Sequence, residues 1–243
     1  MADPMSRKSR NPVTARRGPS LNVILTAAVV VIAAAVIGGV LLANRGSAGP
    51  SADSTLRPAD AHTLSTVDGD KVTVVEFFDF QCPACSSYYT DVTKKLEQDY
   101  RGRITLVPRN LPLDVHPLAL PAALAAEAAG KQGKYAEMYH ALYENYDSWA
   151  LAGQSVATDP KAAAATFERF ATTAGLDLER FRADLASPDL RETVDRDVAD
   201  ARQLGVTSTP TLFVNGTKFQ PKGKTLADVD RELRARIDEE LDR

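Results

Sequence analysis

The feature that most restricts the fold is an apolar run that leads directly into a helix start. Residues 72–80 are β-branched and aromatic without clean alternation, which is typical of a strand buried on both faces of a sheet. A helix is predicted immediately afterwards, because Tyr89, Val92 and Leu96 recur at helical spacing. Residues 103–108 then have the composition of a second strand, so this part of the chain predicts a βαβ unit.

The remainder of the chain predicts a helical block and a closing hairpin. Residues 112–204 are rich in Ala and aromatic side chains at helical spacing and contain no strand-like run, so we predict an all-helical insertion. Strand signals return at 211–214 and 217–220, separated by Asn-Gly, the preferred two-residue hairpin turn. Within the helical block, Asp159-Pro160 and Ser187-Pro188 predict helix starts, with the first residue as N-cap and the proline at the first helical position. Thr225 is predicted to cap a last helix. The order of elements indicates an α/β fold.

The N-terminal part of the chain has a different character. Residues 21–43 carry no charged side chain, and about 23 residues at ~1.5 Å each are enough to cross a bilayer core as a transmembrane helix. Five Lys or Arg precede this stretch, so residues 1–20 are expected in the cytoplasm and the rest of the chain outside. Residues 44–61 are expected to form a flexible linker, followed by a folded domain at 62–243. A cleaved signal peptide is the alternative to an anchor.

The charge distribution excludes one class of partner. The formal net charge is −3, yet the first 45 residues hold six Lys or Arg and one Asp. The remainder is therefore acidic, and we expect no nucleic-acid partner.

The chain contains two cysteines, Cys82 and Cys85, separated by Pro83 and Ala84. They stand where a strand is predicted to end and a helix to begin, and a helix N-terminus stabilises a thiolate through its dipole and free N–H groups. Cys82 is therefore the predicted nucleophile, and Cys85 in the first turn is placed to resolve a mixed disulfide. Pro83 costs no hydrogen bond at the first helical position.

Two other interpretations of the cysteine pair have to be weighed. Zinc binding requires four ligands, and without a third cysteine these would have to include His62, His116 or His140 from distant segments. A purely structural disulfide would close a loop of two intervening residues, which removes little chain entropy. We therefore expect a redox-active pair with no metal and no separate cofactor.

Two acidic residues and one proline are further candidates for the functional site around the cysteine pair. Glu76 lies in the buried strand, where burial raises a carboxyl pKa, and it is a candidate to exchange a proton with Cys85; a solvent-facing Glu76 is equally compatible with the pattern. Asp79 lies nearer the strand end and is expected to be solvated. Thr209-Pro210 stands where a strand starts, a position that tolerates proline, and an ordinary turn proline is the alternative.

Two segments carry a resemblance to a known family. Residues 76–85 and 205–216 resemble the two signature segments of the DsbA-like branch of the thioredoxin superfamily, and they occur in the right order with a helical insertion between them. The resemblance covers residues 62–243 and implies a thioredoxin fold with that insertion. The segment 21–43 resembles the anchor of membrane-tethered bacterial members.

The resemblance also implies roles for individual residues. It makes Cys82 the exposed nucleophile and Cys85 the resolving thiol. It makes Pro210 a cis proline that faces the pair, and Thr209 the residue whose backbone pairs with substrate. It further implies that Glu76 is a buried acid.

One departure from the family pattern concerns how strongly the cysteine pair oxidises its substrates. Strongly oxidising members often have histidine before the second cysteine, where this chain has Ala84, and a missing cationic neighbour weakens thiolate stabilisation. The hypothesis is a dithiol oxidase, anchored in the cell membrane, that acts on exported proteins with cysteines and is reoxidised by a membrane redox partner. The alternatives are an extracytoplasmic reductase or isomerase, and a membrane-tethered chaperone or binding module.

Overall fold

The central sheet is built on the apolar run that begins at residue 72. The structure, a computed structural model, describes residues 52–69 and 71–243. Its strands are β1 (Thr73–Phe78), β2 (Thr105–Asn110), β3 (Leu151–Ala152), β4 (Ser155–Val156), β5 (Thr211–Val214) and β6 (Thr217–Lys218). The main sheet has the order β2-β1-β5-β6, with β1 parallel to β2 and antiparallel to β5. Five of the six residues of β1 are buried, which confirms the predicted central strand.

Helices cover both faces of this sheet. They are α1 (Ala52–Leu56), α2 (Pro83–Tyr88), α3 (Lys94–Asp99), α4 (Ala119–Gly130), α5 (Tyr135–Glu144), α6 (Pro160–Thr173), α7 (Leu178–Leu185), α8 (Pro188–Gln203) and α9 (Leu226–Leu241). A π-helical segment, Tyr89–Thr93, joins α2 to α3 without a break, because Tyr89 and Lys94 keep right-handed helical dihedrals. The helix that follows the cysteines is therefore longer than either named part.

Alternation along β1 sends successive side chains to two different cores. On one face, Val74 belongs to a cluster with Val92 of the π-helical segment and Ile237 of α9. On the other face, Phe77 belongs to a cluster with Leu56 of α1 and Ala201 of α8. The strand is thus covered on both sides, as its composition predicts.

Residues 112–204 are helical except at one short hairpin. Helices α6 and α8 begin at the predicted Asp-Pro and Ser-Pro pairs, and Asp159 accepts hydrogen bonds from the N–H groups of Lys161 and Ala162. Strands β3 and β4 pair antiparallel, so the prediction of an all-helical insertion is wrong at this place. Each of these strands has two residues, too few for alternation to be visible in a sequence.

The closing hairpin has the predicted turn. Asn215 and Gly216 have φ values of 46° and 76°, the left-handed conformation that a two-residue hairpin turn requires at both central positions. Thr225 caps α9, because its Oγ1 accepts a hydrogen bond from the Asp228 N–H at 3.2 Å. Strand β6 ends at Lys218, two residues earlier than predicted.

Part of the stretch that is predicted to be a linker is helical in the structure. A flexible linker is predicted over 44–61, but Ala52–Leu56 form α1 and Leu56 is only 2% exposed. Arg109 Nη1 donates hydrogen bonds to the carbonyl oxygens of Thr55 and Leu56. The linker prediction is therefore wrong for this stretch. The partner that holds it lies in β2, more than fifty residues away, where no local pattern points to it.

The predicted cytoplasmic tail, residues 1–20, and the predicted transmembrane helix, residues 21–43, lie outside the described residues. Within 52–69 and 71–243, no helix is both long enough and apolar enough to cross a bilayer.

Candidate active site

The two cysteines lie at the start of α2, directly after β1. Cys82 is the N-cap residue, with φ −71° and ψ 122°, and Pro83 occupies the first helical position. The N–H of Ser86 donates to the Cys82 carbonyl oxygen at 3.0 Å, the first hydrogen bond of the helix. Cys85 is 0% exposed and Cys82 is 7% exposed. Cys82 is thus the more accessible sulfur, although it is far less exposed than the resemblance implies.

The pKa values of the two thiols are shifted in opposite directions. The pKa of Cys82 is lowered from its ordinary 9.0 to about 5, chiefly by a hydrogen bond from the Cys85 thiol and with help from backbone N–H groups of the helix start, against the effect of burial. The pKa of Cys85 is raised well above 9.0, first by burial and then by the hydrogen bond to Cys82 and the charge on it. Near neutral pH, Cys82 is therefore a thiolate and Cys85 a thiol.

The loop before β5 faces this pair. The Thr209-Pro210 peptide bond is cis, the geometry that the resemblance implies. Cys82 Sγ lies 4.0 Å from the Thr209 carbonyl oxygen, which accepts a weak S–H hydrogen bond when Cys82 is protonated. Both loop residues are half-buried. The structure thus brings Cys82, Thr209 and Pro210 together, while the pairing of Thr209 with substrate stays a prediction.

Glu76 is buried, which decides between the two orientations compatible with the sequence. It is 7% exposed, and burial raises its pKa from 4.5 to about 7, partly opposed by a hydrogen bond of 2.8 Å from Thr93 Oγ1. Thr93 belongs to the π-helical segment, a kind of irregularity that is frequent near functional sites. Among the described residues, no hydrogen bond joins Glu76 to Cys85. Proton exchange between them stays a prediction.

Asp79 is buried, which the sequence does not predict. It is predicted to be solvated, but it is 1% exposed and receives four hydrogen bonds. Oδ1 accepts from the backbone N–H groups of Gln81 (2.7 Å) and Cys82 (3.1 Å). Oδ2 accepts from the N–H of Leu113 (2.9 Å) and contacts His116 Nδ1 at 2.7 Å. The side chain is buried because the loop at 111–118 folds over it, and no local pattern signals this.

Gln81 is a second residue whose role the sequence does not signal. It is 0% exposed, and its Nε2 donates to the carbonyl oxygens of Ala150 (3.1 Å) and Ala157 (2.7 Å). Its Oε1 accepts from the Leu118 N–H at 2.6 Å, and its backbone oxygen accepts from the Tyr146 hydroxyl at 2.7 Å. The hydrogen bonds of Gln81 therefore link the helical insertion to the segment that directly precedes Cys82.

The three histidines do not gather around the cysteines. Each lies beside a carboxylate: His62 by Glu127 at 2.9 Å, His116 by Asp79 at 2.7 Å, and His140 by Glu97 at 3.3 Å. In the part of the chain that the structure describes, there is no cluster of three or more side chains suited to holding a metal ion.

A cysteine pair at the start of α2, directly after the central strand, together with a cis proline in the loop before β5, is the arrangement of the thioredoxin class. A family model described as Thioredoxin matches residues 69–234. The chain belongs to the thioredoxin family. Its similarity to a probable disulfide bond formation protein D agrees with the DsbA-like resemblance of the two sequence segments.

Three similar proteins illustrate the relationship. The probable disulfide bond formation protein D of Bacillus cereus is 31% identical over 176 residues, 69% of this chain and 76% of that protein. The Na⁺/H⁺ antiporter NhaA 1 of Mycolicibacterium vanbaalenii is 34% identical over 173 residues, 68% of this chain but only 25% of the antiporter. A solved thioredoxin-like oxidoreductase from Silicibacter pomeroyi superposes with a TM-score of 0.58 at 28% identity, covering 77% of this chain and 95% of that one.

Proposed function

We propose that the protein is a dithiol oxidase that introduces disulfides into exported proteins through Cys82 and Cys85. The observation that carries this proposal is the opposite shift of the two thiol pKa values within one helical turn. A stable thiolate at Cys82 favours the reduced pair over the disulfide, so the disulfide tends to accept electrons from substrate thiols. The name of the Bacillus cereus relative supports the same direction.

The reaction proceeds by two exchanges. A substrate thiolate attacks Cys82 Sγ, the Cys82–Cys85 bond breaks, and Cys85 leaves and takes up a proton. A second substrate thiolate then attacks the first substrate sulfur, which closes the substrate disulfide and releases Cys82 as a thiolate. Two electrons pass from the substrate to the pair. The low pKa of Cys82 makes it a good leaving group in the second step.

In this proposal, Glu76 serves as the proton reservoir for Cys85. A pKa of about 7 allows both its protonated and ionised forms to be populated near neutral pH, which suits a general acid or base. Because its own hydrogen bond goes to Thr93, we expect the proton to reach Cys85 through an intervening water.

The Thr209-Pro210 loop is the proposed substrate-binding edge. Thr209 lies against Cys82 through its carbonyl oxygen, so a peptide that pairs with its backbone would bring a substrate cysteine close to Cys82 Sγ. Pro210 lacks an N–H and leaves the backbone of the preceding residue to make that contact.

The proposed location is the extracytoplasmic face of the cell membrane. The uncharged stretch at 21–43 and the basic residues before it support a single-pass anchor with residues 1–20 in the cytoplasm. The anchor would keep the catalytic domain near emerging substrates and near a membrane redox partner that reoxidises the pair.

A reductase or isomerase is the second candidate, and Ala84 is the observation that favours it. The absence of a cationic side chain at this position removes one stabilising influence on the Cys82 thiolate, which lowers the tendency to oxidise. Such an enzyme would need an electron donor in the membrane to keep the pair reduced.

The test uses the full chain, purified in detergent and oxidised, mixed with a reduced unfolded protein that has two cysteines. We expect one substrate disulfide to form for each pair reduced, and no reaction with Cys82→Ser. Failure of the wild type to oxidise the substrate, with Cys82→Ser behaving identically, would contradict the proposal. A pair that is mainly reduced in cells would point to the reductase, and client binding that survives loss of both cysteines to a binding module.

A further inference from the structure

A buried contact between Asp79 and His116 lies directly behind the cysteine segment. Asp79 holds the start of α2, because its Oδ1 accepts the backbone N–H groups of both Gln81 and Cys82. Its Oδ2 contacts His116 Nδ1 at 2.7 Å. The pair therefore connects the backbone of the nucleophile to a side chain from a different segment, the loop between β2 and α4.

The contacts of Asp79 suit an ionised carboxylate. Three of its four partners are backbone N–H groups, which can only donate, so a proton on the carboxyl would have His116 Nδ1 as its one acceptor among these four. Burial raises the pKa of Asp79, and the hydrogen bond from His116 is the largest influence that opposes this. His116 thus helps to keep Asp79 charged inside the protein.

A charged Asp79 affects Cys82 in two ways. It orients the helix start through its hydrogen bonds, and its negative charge disfavours a second negative charge on the nearby Cys82 sulfur. His116 Nδ1 contacts the other oxygen of the same carboxylate at 2.7 Å, so a positive charge on this imidazole opposes the charge of Asp79. This contact gives His116 a route to act on the Cys82 thiolate through Asp79.

We propose that Asp79 is a positioning residue for Cys82, and that His116 supplies from the 111–118 loop the cationic neighbour that Ala84 does not provide. The proposal rests on the proposed redox role of the cysteine pair. It predicts opposite effects of the two side chains: Asp79 disfavours the Cys82 thiolate, and His116 favours it.

The surroundings of His116 give it access to protons. Its side chain is 11% exposed and lines a pocket of about 290 Å³. The charged groups that line the same pocket are Asp114, Arg191, Asp195 and Arg202, of which Arg191 and Asp195 pair with each other at 2.9 Å. From α5 and the turn after it, Tyr143 donates to the Asp79 carbonyl oxygen at 3.3 Å. Burial, followed by the charges of Cys82 and Asp79, raises the pKa of Tyr146. Protons can therefore reach the pair from solvent through this pocket.

The first arm of the test is His116→Asn in the full chain. Asn keeps an N–H donor near the position of Nδ1 but has no charge. The pH dependence of Cys82 alkylation measures the fraction of thiolate. A second measurement gives the equilibrium constant with glutathione, in which the protein disulfide and two glutathione thiols form the protein dithiol and one glutathione disulfide. We expect a higher Cys82 pKa and a fall of about threefold to tenfold in this equilibrium constant, a tenfold change corresponding to one pKa unit.

The matched control is His62→Asn, which changes another histidine that contacts a carboxylate, Glu127, away from the cysteine segment. We expect it to leave the Cys82 pKa unchanged. Equal shifts in both histidine variants, or no shift in His116→Asn, would overturn the proposal.

The second arm is Asp79→Asn, which removes the negative charge. We expect the Cys82 pKa to fall, opposite to the effect of His116→Asn. A purely structural pair would lower the free energy of unfolding in both variants without moving the Cys82 pKa in opposite directions, and that result would also overturn the proposal. Because alkylation reports on the thiolate directly, these outcomes do not depend on whether the protein oxidises or reduces its substrates.

Discussion

Individual side chains at this site derive their chemistry from how deeply they are buried. Cys82 and Cys85 belong to the same helix start, yet the first is held as a thiolate by hydrogen bonds and the second as a thiol by the apolar core around it. Glu76 has the raised pKa of a carboxyl cut off from water. Each of these residues therefore allows a separate test.

Replacing Cys85 by serine tests the division of labour between the two sulfurs. In Cys85→Ser, the Cys82 thiolate can attack a disulfide-bonded substrate, which forms a mixed disulfide and releases one substrate thiolate. Without the resolving thiol the enzyme cannot break this mixed disulfide itself, so we expect a covalent adduct with a disulfide-bonded substrate on a non-reducing gel. Cys82→Ser is the matched control and should give no adduct. An adduct through Cys85 in that control would contradict the assignment of Cys82 as the nucleophile.

The substitution Glu76→Gln tests whether Glu76 is a buried acid, because a buried acid makes the free energy of unfolding depend on pH. A pKa raised from 4.5 to about 7 means that the stability associated with the neutral carboxyl is present at low pH and is lost as the pH rises through 7. Gln is neutral throughout and can still accept the hydrogen bond of Thr93.

We therefore expect the free energy of unfolding of Glu76→Gln, relative to wild type, to rise by about 3 kcal/mol between pH 4 and pH 8. Urea denaturation at each pH measures this difference. The comparison at pH 4, where both side chains are neutral, is the internal control. A difference that is the same at both pH values would contradict a buried, titrating Glu76.

Among the secondary-structure elements, β2 has a role beyond the sheet. Arg109 is 1% exposed, and its guanidinium pairs with Asp197 (2.9 Å) and Asp200 (2.6 Å) of α8. The same group donates to the last carbonyl oxygens of α1. One side chain thus joins a strand to two helices that cover it.

Arg109→Met should therefore be strongly destabilising. Burial raises the pKa of Asp197, and the positive charge of Arg109 is the largest influence that opposes it, so the variant leaves a buried acid without its cationic partner. We expect a loss of about 3 kcal/mol in the free energy of unfolding by urea denaturation. We also expect faster amide hydrogen exchange in α1, because its carbonyl oxygens lose their donor.

Arg196→Met is the matched control for this experiment. Arg196 pairs with Asp60 at 2.8 Å on the surface, where both side chains are largely exposed, so its loss should cost at most about 0.5 kcal/mol. Similar losses in both variants would show that the Arg109 network is not a main contributor to stability.

For the molecule as a whole, the site couples redox state to stability. In the reduced protein, folding lowers the Cys82 pKa from 9.0 to about 5. A lowered pKa contributes stability that is fully present above the unfolded value and is lost as the pH falls through the folded value. The reduced protein should therefore become less stable as the solution becomes acidic, for a reason separate from the buried carboxyl groups.

We expect the free energy of unfolding of the reduced wild type to exceed that of Cys82→Ser at pH 7, and the margin to shrink by about 1 to 2 kcal/mol by pH 5, allowing for screening by solvent. Cys85 is neutral in folded and unfolded chains over this range and contributes no such change. Urea denaturation with reductant present measures the margin. A margin that does not change with pH would contradict a thiolate at Cys82.

Local patterns in the chain were enough to predict much of the architecture. The buried strand β1, the helix starts at the Asp-Pro and Ser-Pro pairs, the Asn-Gly hairpin and the cysteine pair at a helix start are all present. Each depends on residues within one turn or one strand, because backbone dihedrals, capping and amphipathic spacing act over short distances. The two signature segments also pointed to the correct family.

What the local patterns missed depends on contacts between distant segments. The burial of Asp79 comes from His116 and the loop over it, and the order of α1 comes from Arg109. The low exposure of Cys82 comes from the packing around the cysteine segment as a whole. Burial and pKa depend on which segments exclude water from a group, and this is set when the chain packs. The amino-acid order thus defined the elements and the reactive pair, while three-dimensional packing set the charge and accessibility of the groups around it.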